Sequence, residues 1–369
     1  MKSIFVKIGF FISGIVILGG CIETFAPPEV TSNKTFLVVD GYLNIGEGSS
    51  IIRLSWTKNL TDESAWTYEQ NAEVVVEGDK GSRFVFTEGS GGAYVLSQQI
   101  FNESENFRLS IKTSSGKEYQ SDYVPYKKTP AIDSVAYKVA GDRSGVQVYV
   151  NTHDNTNQTK FYRWKFEETW QYQSALISSM EVQGEDIVFR TDDIHNCWKT
   201  MASTSILIGT SVKLSQDVIQ DFPITFVNAS TNKLLIKYSI LVKQFALTQD
   251  AFDYWTDLAK TTEATGGLFD PQPSLVTGNI HSITDSDDLV FGFFSATSMA
   301  QKRIFITPYL GFYPTCLPVD TLPKADAIAS GDLIMTDYGY PDVQYITIPP
   351  SCGDCRLQGG TTVKPDFWR

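Results

Sequence analysis

A chain of 369 residues with 23 Phe, 17 Tyr and 7 Trp carries too much aromatic mass to remain disordered, and its length accommodates two domains at about 100–200 residues each. The formal net charge of −12, from 42 acidic and 30 basic side chains, argues against nucleic acid as a partner, because phosphates call for a basic face. It also leaves no polybasic patch for anionic lipid headgroups.

The first element reads as an export signal. Lys2 and Lys7 form a basic start, residues 8–20 are mainly apolar, and Leu18-Gly19-Gly20-Cys21 has the small residues that a bacterial lipoprotein signal peptidase reads before a cysteine. The apolar run is shorter than the about 20 residues that a permanent span requires. Residues 1–20 are therefore expected to be a lipoprotein signal peptide. Cys21 is the expected lipidation site, whose acyl chains insert into outer-membrane lipid at ~0.8 kcal/mol per buried methylene. The sequence does not choose between the periplasmic and the cell-surface side. Residues 21–34, with Pro27-Pro28, read as a stiff lipidated tether.

Residues 35–128 show strand after strand, expected at 36–43, 50–56, 72–77, 83–87, 93–97, 107–112 and 118–123. Val74 and Val76 share one face, as do Phe84 and Phe86, and Gly78-Asp79, Gly89-Ser90-Gly91-Gly92 and Ser115-Gly116 supply turns. This spacing predicts a mainly β fold that opens with an immunoglobulin-like or transthyretin-like sandwich. Pro125 and Pro130 bracket a boundary, and residues 129–369 read as a larger β-rich domain with helical insertions. Strands are expected there at 132–139, 146–151, 161–170, 186–190, 205–210, 234–245, 289–296 and 303–307. In 161–166, Tyr162, Trp164 and Phe166 fall on one face and Arg163 and Lys165 on the other. A short helix is expected near 215–221 with Ser215 as its cap. A longer one follows Thr248, with Asp250 in its first turn, Phe252, Trp255 and Ala259 on one stripe, and Gly266-Gly267 at its end.

Signatures of catalysis are sparse. The chain has no Walker loop, dinucleotide fingerprint, H-E-x-x-H or G-x-S-x-G. His153, His195 and His281 are scattered. Glu167, Glu168 and Glu181 offer a glycosidase pair only if the fold unites two of them, and strand alternation parts Glu167 from Glu168. The oxygen-rich runs 154–158 and 285–288 match no twelve-residue calcium loop and read as solvated turns. Trp164, Trp170, Tyr172, Trp198, Phe291, Phe293 and Phe294 read as core ahead of a carbohydrate or peptide groove, while Trp66 and Tyr68 sit in a polar connection and read as exposed. No cofactor or metal is implied. Cys197, Cys316, Cys352 and Cys355 are disulfide candidates in an oxidising compartment, with three connectivities open. Near the end of the chain, Cys352-Gly353-Asp354-Cys355 reads as a structural pair ahead of a redox one, and zinc held by four cysteines is disfavoured.

Several motifs occur together in a fixed order: Phe166-Glu167-Glu168-Thr169-Trp170-Gln171-Tyr172, Cys197-Trp198, Tyr254-Trp255, the run from Gly266 to Ser274, Gly278-Asn279-Ile280, Cys352-Gly353-Asp354-Cys355-Arg356 and Lys364-Pro365-Asp366-Phe367-Trp368. With these the chain resembles an uncharacterised lipoprotein family of Bacteroidetes, domain of unknown function 4249. The resemblance implies no activity and no catalytic residues, and it implies partnership with a TonB-dependent outer-membrane transporter. The expected function is an outer-membrane-anchored, non-catalytic binding or accessory subunit. The rival expectations are an extracytoplasmic hydrolase acting on glycan or peptide, a thiol–disulfide protein using Cys352 and Cys355, and a structural envelope protein. Phe367 and Trp368 predict a tail that docks into the body.

Overall fold

Two-residue periodicity governs the first third of the chain, as seen in a computed structural model that describes residues 34–59, 62, 64–262, 275–307, 310, 315–316 and 319–369. The strands β1 (Leu37–Asn44) and β2 (Ser50–Trp56) pair antiparallel, with Val39 opposite Leu54. After them come β3 (Glu73–Gly78), β4 (Arg83–Val85), β5 (Thr87–Glu88), β6 (Ala93–Leu96), β7 (Asn106–Lys112), β8 (Glu118–Ser121) and β9 (Val124–Lys127). Alternate residues of β1, β2, β3 and β7 enter one apolar core, including Leu37, Ile52, Leu54, Val74, Val76 and Leu109. The strand expected at 83–87 is divided into β4 and β5, which pair with different neighbours.

The next strands are longer: β10 (Ile132–Val139), β11 (Gly145–Asp154), β12 (Phe161–Gln173), β13 (Met180–Gln183), β14 (Asp186–Phe189), β15 (Asn196–Ala202), β16 (Leu207–Thr210), β17 (Asp217–Asn228) and β18 (Lys237–Ala246). The helix expected near 215–221 is a strand. β17 pairs with β11 from end to end, burying Ile219, Ile224 and Val227. Pro223, which fits poorly in a helix interior, lies within it. A bulge opposite Asn151 accommodates the left-handed backbone of Asp221 (φ 48°), whose N–H donates to Asn151 Oδ1 at 2.6 Å. The open edge of β11 outweighed the local capping signal.

At the centre of a second core, Tyr162, Trp164 and Tyr238 are fully buried. Trp164 Nε1 donates to Gln244 Oε1 (2.8 Å), and Gln244 Nε2 donates to the Pro130 carbonyl and to Thr152 Oγ1 (both 2.9 Å), so burial leaves these polar atoms satisfied. Each large apolar side chain buried here stabilises the fold by about 1.5–3 kcal/mol.

Helix α1 (Gln249–Thr262) starts directly after β18, with Thr248 Oγ1 accepting from Ala251 N at 3.2 Å. Its expected glycine terminus at 266–267 lies outside the described residues. Then β19 (Ile280–Ser282) joins β8, while β20 (Val290–Phe291) and β21 (Ala296–Thr297) run parallel to β1, the latter also pairing with β9. The strand expected at 289–296 breaks at Gly292, where φ is 131° and a Cβ would collide with the Val39 carbonyl oxygen. From β21 the chain passes straight into β22 (Met299–Ile306), which pairs with β18.

The junction is tied by two buried threonines. Ala246 N donates to Thr129 Oγ1 (2.9 Å), Thr297 Oγ1 donates to the Lys127 carbonyl (3.0 Å), and the two hydroxyls lie 3.1 Å apart. Residues 36–57 and 66–369 thus form one unit. Within Lys58–Ala65, outside that unit, Lys58 Nζ donates to the Ser64 carbonyl at 2.7 Å.

A last small sheet adds β23 (Asp320–Pro323), β24 (Leu333–Tyr338) and β25 (Gln344–Ile348) to β13 and β14, with α2 (Lys324–Ser330) between β23 and β24. The tail docks: Trp368 is buried against Phe305 (centroids 5.6 Å apart), and the Arg303 guanidinium lies 3.6 Å from the Phe367 ring centre. No described helix is long and apolar enough to cross a membrane.

Candidate functional site

The residues that sequence puts forward for chemistry are held in structural roles. Cys197 bonds Cys355 and Cys316 bonds Cys352, each pair with Cα atoms 5.8 Å apart. Cys352 and Cys355 are therefore not joined to each other. Between them, Asp354 accepts from the Arg356 side chain and backbone, and Arg356 holds its pKa low. Cys21 lies outside the described residues.

Glu167 pairs with Arg303 (3.1 Å), Glu181 with Arg190 (3.2 Å), and Glu168 accepts from Lys233 and Tyr238, both at 2.6 Å. The three carboxylates thus have separate partners. His153 Nδ1 lies 2.7 Å from Asp133, which raises the imidazole pKa, and His195 Nδ1 lies 2.8 Å from Ser174 Oγ. In the 154–158 run, Asp154 closes its own turn by accepting from three backbone N–H groups and from Thr156 Oγ1. In the 285–288 run, Asp288 takes Lys117 and Tyr119, both at 2.8 Å. Of the aromatics, Trp164, Trp170, Tyr172 and Phe294 are core, and Trp66 and Tyr68 are exposed.

A well-defined cleft lies elsewhere, where the two core-bearing regions meet. Since Tyr162, Trp164 and Phe166 point into the second core, Arg163 and Lys165 must project from the opposite face of β12. Across the ladder, β18 sets Phe245 opposite Arg163 and Lys243 opposite Lys165. Helix α1 brings Tyr254, Trp255 and Leu258 to this face, and β1, β2 and residues 291–297 close the other side. The result is a cleft of about 640 Å³, within the roughly 300–1,000 Å³ of small-molecule sites. Phe291 and Phe293 line it, so part of the aromatic set does form a groove.

Charge distinguishes this cleft. Arg53, Arg163, Lys165 and Lys243 line it, against one carboxylate, Asp40. In a chain of net charge −12 this is a local reversal of sign. Arg163 lies flat on Trp255, guanidinium carbon 3.3 Å from the ring centre, and its Nε is buried without a hydrogen-bond partner. Burial pushes the Arg163 pKa down to about 10, with Asp40 and Tyr254 pulling the other way, so the group stays cationic at neutral pH. Burial also lowers the Lys165 pKa, and the positive charges of Arg163 and Lys243 lower it further, against the opposing pull of Asp40. Tyr42 is pushed up to about 12 by burial; its hydroxyl reaches Met299 Sδ at 3.7 Å and its ring meets Phe245 edge-on at 5.0 Å.

A second hollow, about 580 Å³, shares Tyr254, Val276 and Phe293 with the cleft and is lined by Asp122, Asp250, Asp253 and Asp257. Its sign is opposite.

Alternation in 161–166 already separated Arg163 and Lys165 from the core. Asp40, Arg53, Lys243 and the stacking role of Trp255 had no local signal, because three distant segments assemble them.

No curated protein matches this chain. Residues 22–303 match the family described as Domain of unknown function (DUF4249), a span that contains the cleft and stops short of the Cys352–Cys355 tail. The chain belongs to that family.

Proposed function

We propose that this protein is a lipid-anchored, non-catalytic binding subunit of the cell envelope, working beside a TonB-dependent outer-membrane transporter. The observation that carries the binding role is the cleft: cationic and aromatic, with Asp40 as its single carboxylate. A two-carboxylate hydrolysis has no second carboxylate there, and a histidine-dependent nucleophile has no histidine among the residues lining it. The four-feature pattern ending at Cys21 supports the anchor, and the acidic composition supports the lipid as the main membrane contact.

Two measurements test this reading. Cys21→Ser is expected to move the protein from the membrane fraction to the soluble fraction with its thermal transition unchanged; a variant that stays in the membrane overturns the anchor. Cross-linking in whole cells followed by purification is expected to bring down an outer-membrane transporter, and its absence overturns the accessory role.

A further inference from the structure

We propose that the cleft is a receptor site for a small polyanion built on a flat apolar body, such as an aromatic compound bearing several sulfonate, carboxylate, phosphate or catecholate groups. This rests on reading the cleft as a binding site rather than an active site.

The first argument is an unneutralised pair. Lys165 and Lys243 are directly opposite on antiparallel strands, an arrangement that brings Cβ atoms to about 4.5–5.5 Å and is destabilising for like charges. One row further along the same face the problem is solved, since Glu167 and Arg303 close an ion pair at 3.1 Å. Among the described residues no carboxylate comes within 4.0 Å of Lys165, Lys243 or Arg163. A fold that keeps two lysines and a buried arginine together, with Asp40 as the one carboxylate in the cleft and none of the three in an ion pair, is arranged for a negative charge supplied from outside.

The second argument is pre-organisation. Trp255 holds the Arg163 guanidinium plane, so little side-chain entropy remains to be lost when its edge meets a bidentate oxyanion. The Arg163 Nε is buried and unpartnered, so no protein acceptor competes for the guanidinium at that atom.

The third argument is inventory. Lysine and arginine only donate, so a matching ligand is rich in acceptors. Four cations against Asp40 leave an excess of three positive charges, which calls for two or three negative ones. Tyr42, Phe245, Tyr254, Trp255, Phe291 and Phe293 supply ring faces and edges, and these reward a planar body.

Pyrenetetrasulfonate is a suitable probe, being flat and carrying four fixed charges. Calorimetric titration of the purified full-length protein in non-ionic detergent is expected to show saturable one-to-one binding. Citrate, which has charge without a flat body, and pyrenemethanol, which has the body without charge, are each expected to bind at least about tenfold more weakly. Lys243→Gln should weaken the probe about tenfold, the loss expected for one charge-assisted contact. Lys165→Gln combined with Lys243→Gln should weaken it further while raising the thermal midpoint, because repulsion is relieved. Lys80→Gln, far from the cleft on the surface, should change nothing.

Absence of saturable binding by the unmodified protein overturns the proposal. So does a double variant that binds as tightly as the parent or melts below it, and citrate binding as tightly as the probe removes the flat body from the ligand class. Loss of the ligand class with a transporter still co-purifying would leave the accessory role standing. Probe binding without any transporter would do the reverse.

Discussion

At the scale of single residues, the contrast between Glu168 and Lys165 is informative. Glu168 is buried and takes two hydrogen bonds at 2.6 Å, from Lys233 and Tyr238. Burial and the Glu168 charge together push the Tyr238 pKa upward. Lys165 is half-buried, faces Lys243 directly across the ladder and closes no ion pair, with Asp40 as the one acidic charge acting on it. Proteins pair most buried charges, so an unpaired set marks a place where something other than stability was selected. Asp154 gives a residue-scale test of the reverse kind. Partial burial acts to raise its pKa, but the hydrogen bonds from Thr156 and Thr159 outweigh it and hold the carboxyl well below the usual carboxylate range. A depressed folded-state pKa contributes stability above the ordinary carboxylate pKa, and that stability disappears as pH falls through the folded value. Asp154→Asn is therefore expected to be less stable than the parent at pH 7 and to converge with it at strongly acid pH. Denaturant midpoints measured across the acid range check this; a constant gap would show that the turn acts without its charge.

At the scale of elements, β12 does the most to place the cleft. Its thirteen residues alternate strictly enough to divide an aromatic face from a cationic one, and this much was legible in the sequence, as were β10, β2 and the capped start of α1. The region around β17 was not legible, because Ser215 offers a plausible cap while the deciding partner, β11, lies some seventy residues earlier. Gly292 belongs to this scale too. It lets the chain touch β1 twice, through Val290–Phe291 and Ala296–Thr297, with the backbone passing close over Val39. Gly292→Ala demands both a left-handed backbone from a non-glycine residue and space that the Val39 carbonyl occupies. It is expected to destabilise the protein by more than about 2 kcal/mol, read from the shift in denaturant midpoint, and to disturb the cleft wall at Phe291 and Phe293.

At the scale of the whole molecule, one of the two disulfides fastens the end of the chain to its middle. The Cys197–Cys355 bond spans 158 residues, and Cys355 also donates its N–H to the Ile194 carbonyl at 2.9 Å. Closing so long a loop restricts the unfolded chain, so replacing both cysteines by alanine is expected to cost about 2–5 kcal/mol in unfolding free energy, measured by equilibrium denaturation. The redox alternative makes a different demand, namely a Cys352–Cys355 dithiol that cycles, and in the fold these cysteines have separate partners.

The amino-acid sequence by itself determined the mainly β class, the alternation of faces along the central strand, the set of cysteines available for bonding and membership of the family matched over residues 22–303. These follow from local periodicity and from residue identity, which neighbours in the chain express directly. Only the tertiary structure decided which cysteines pair, that residues 280–297 return to the first sheet, and that Arg53, Arg163, Lys165 and Lys243 converge around one carboxylate. Each of these depends on contacts between segments separated by tens to hundreds of residues, where the reward is burial and hydrogen bonding rather than any local preference.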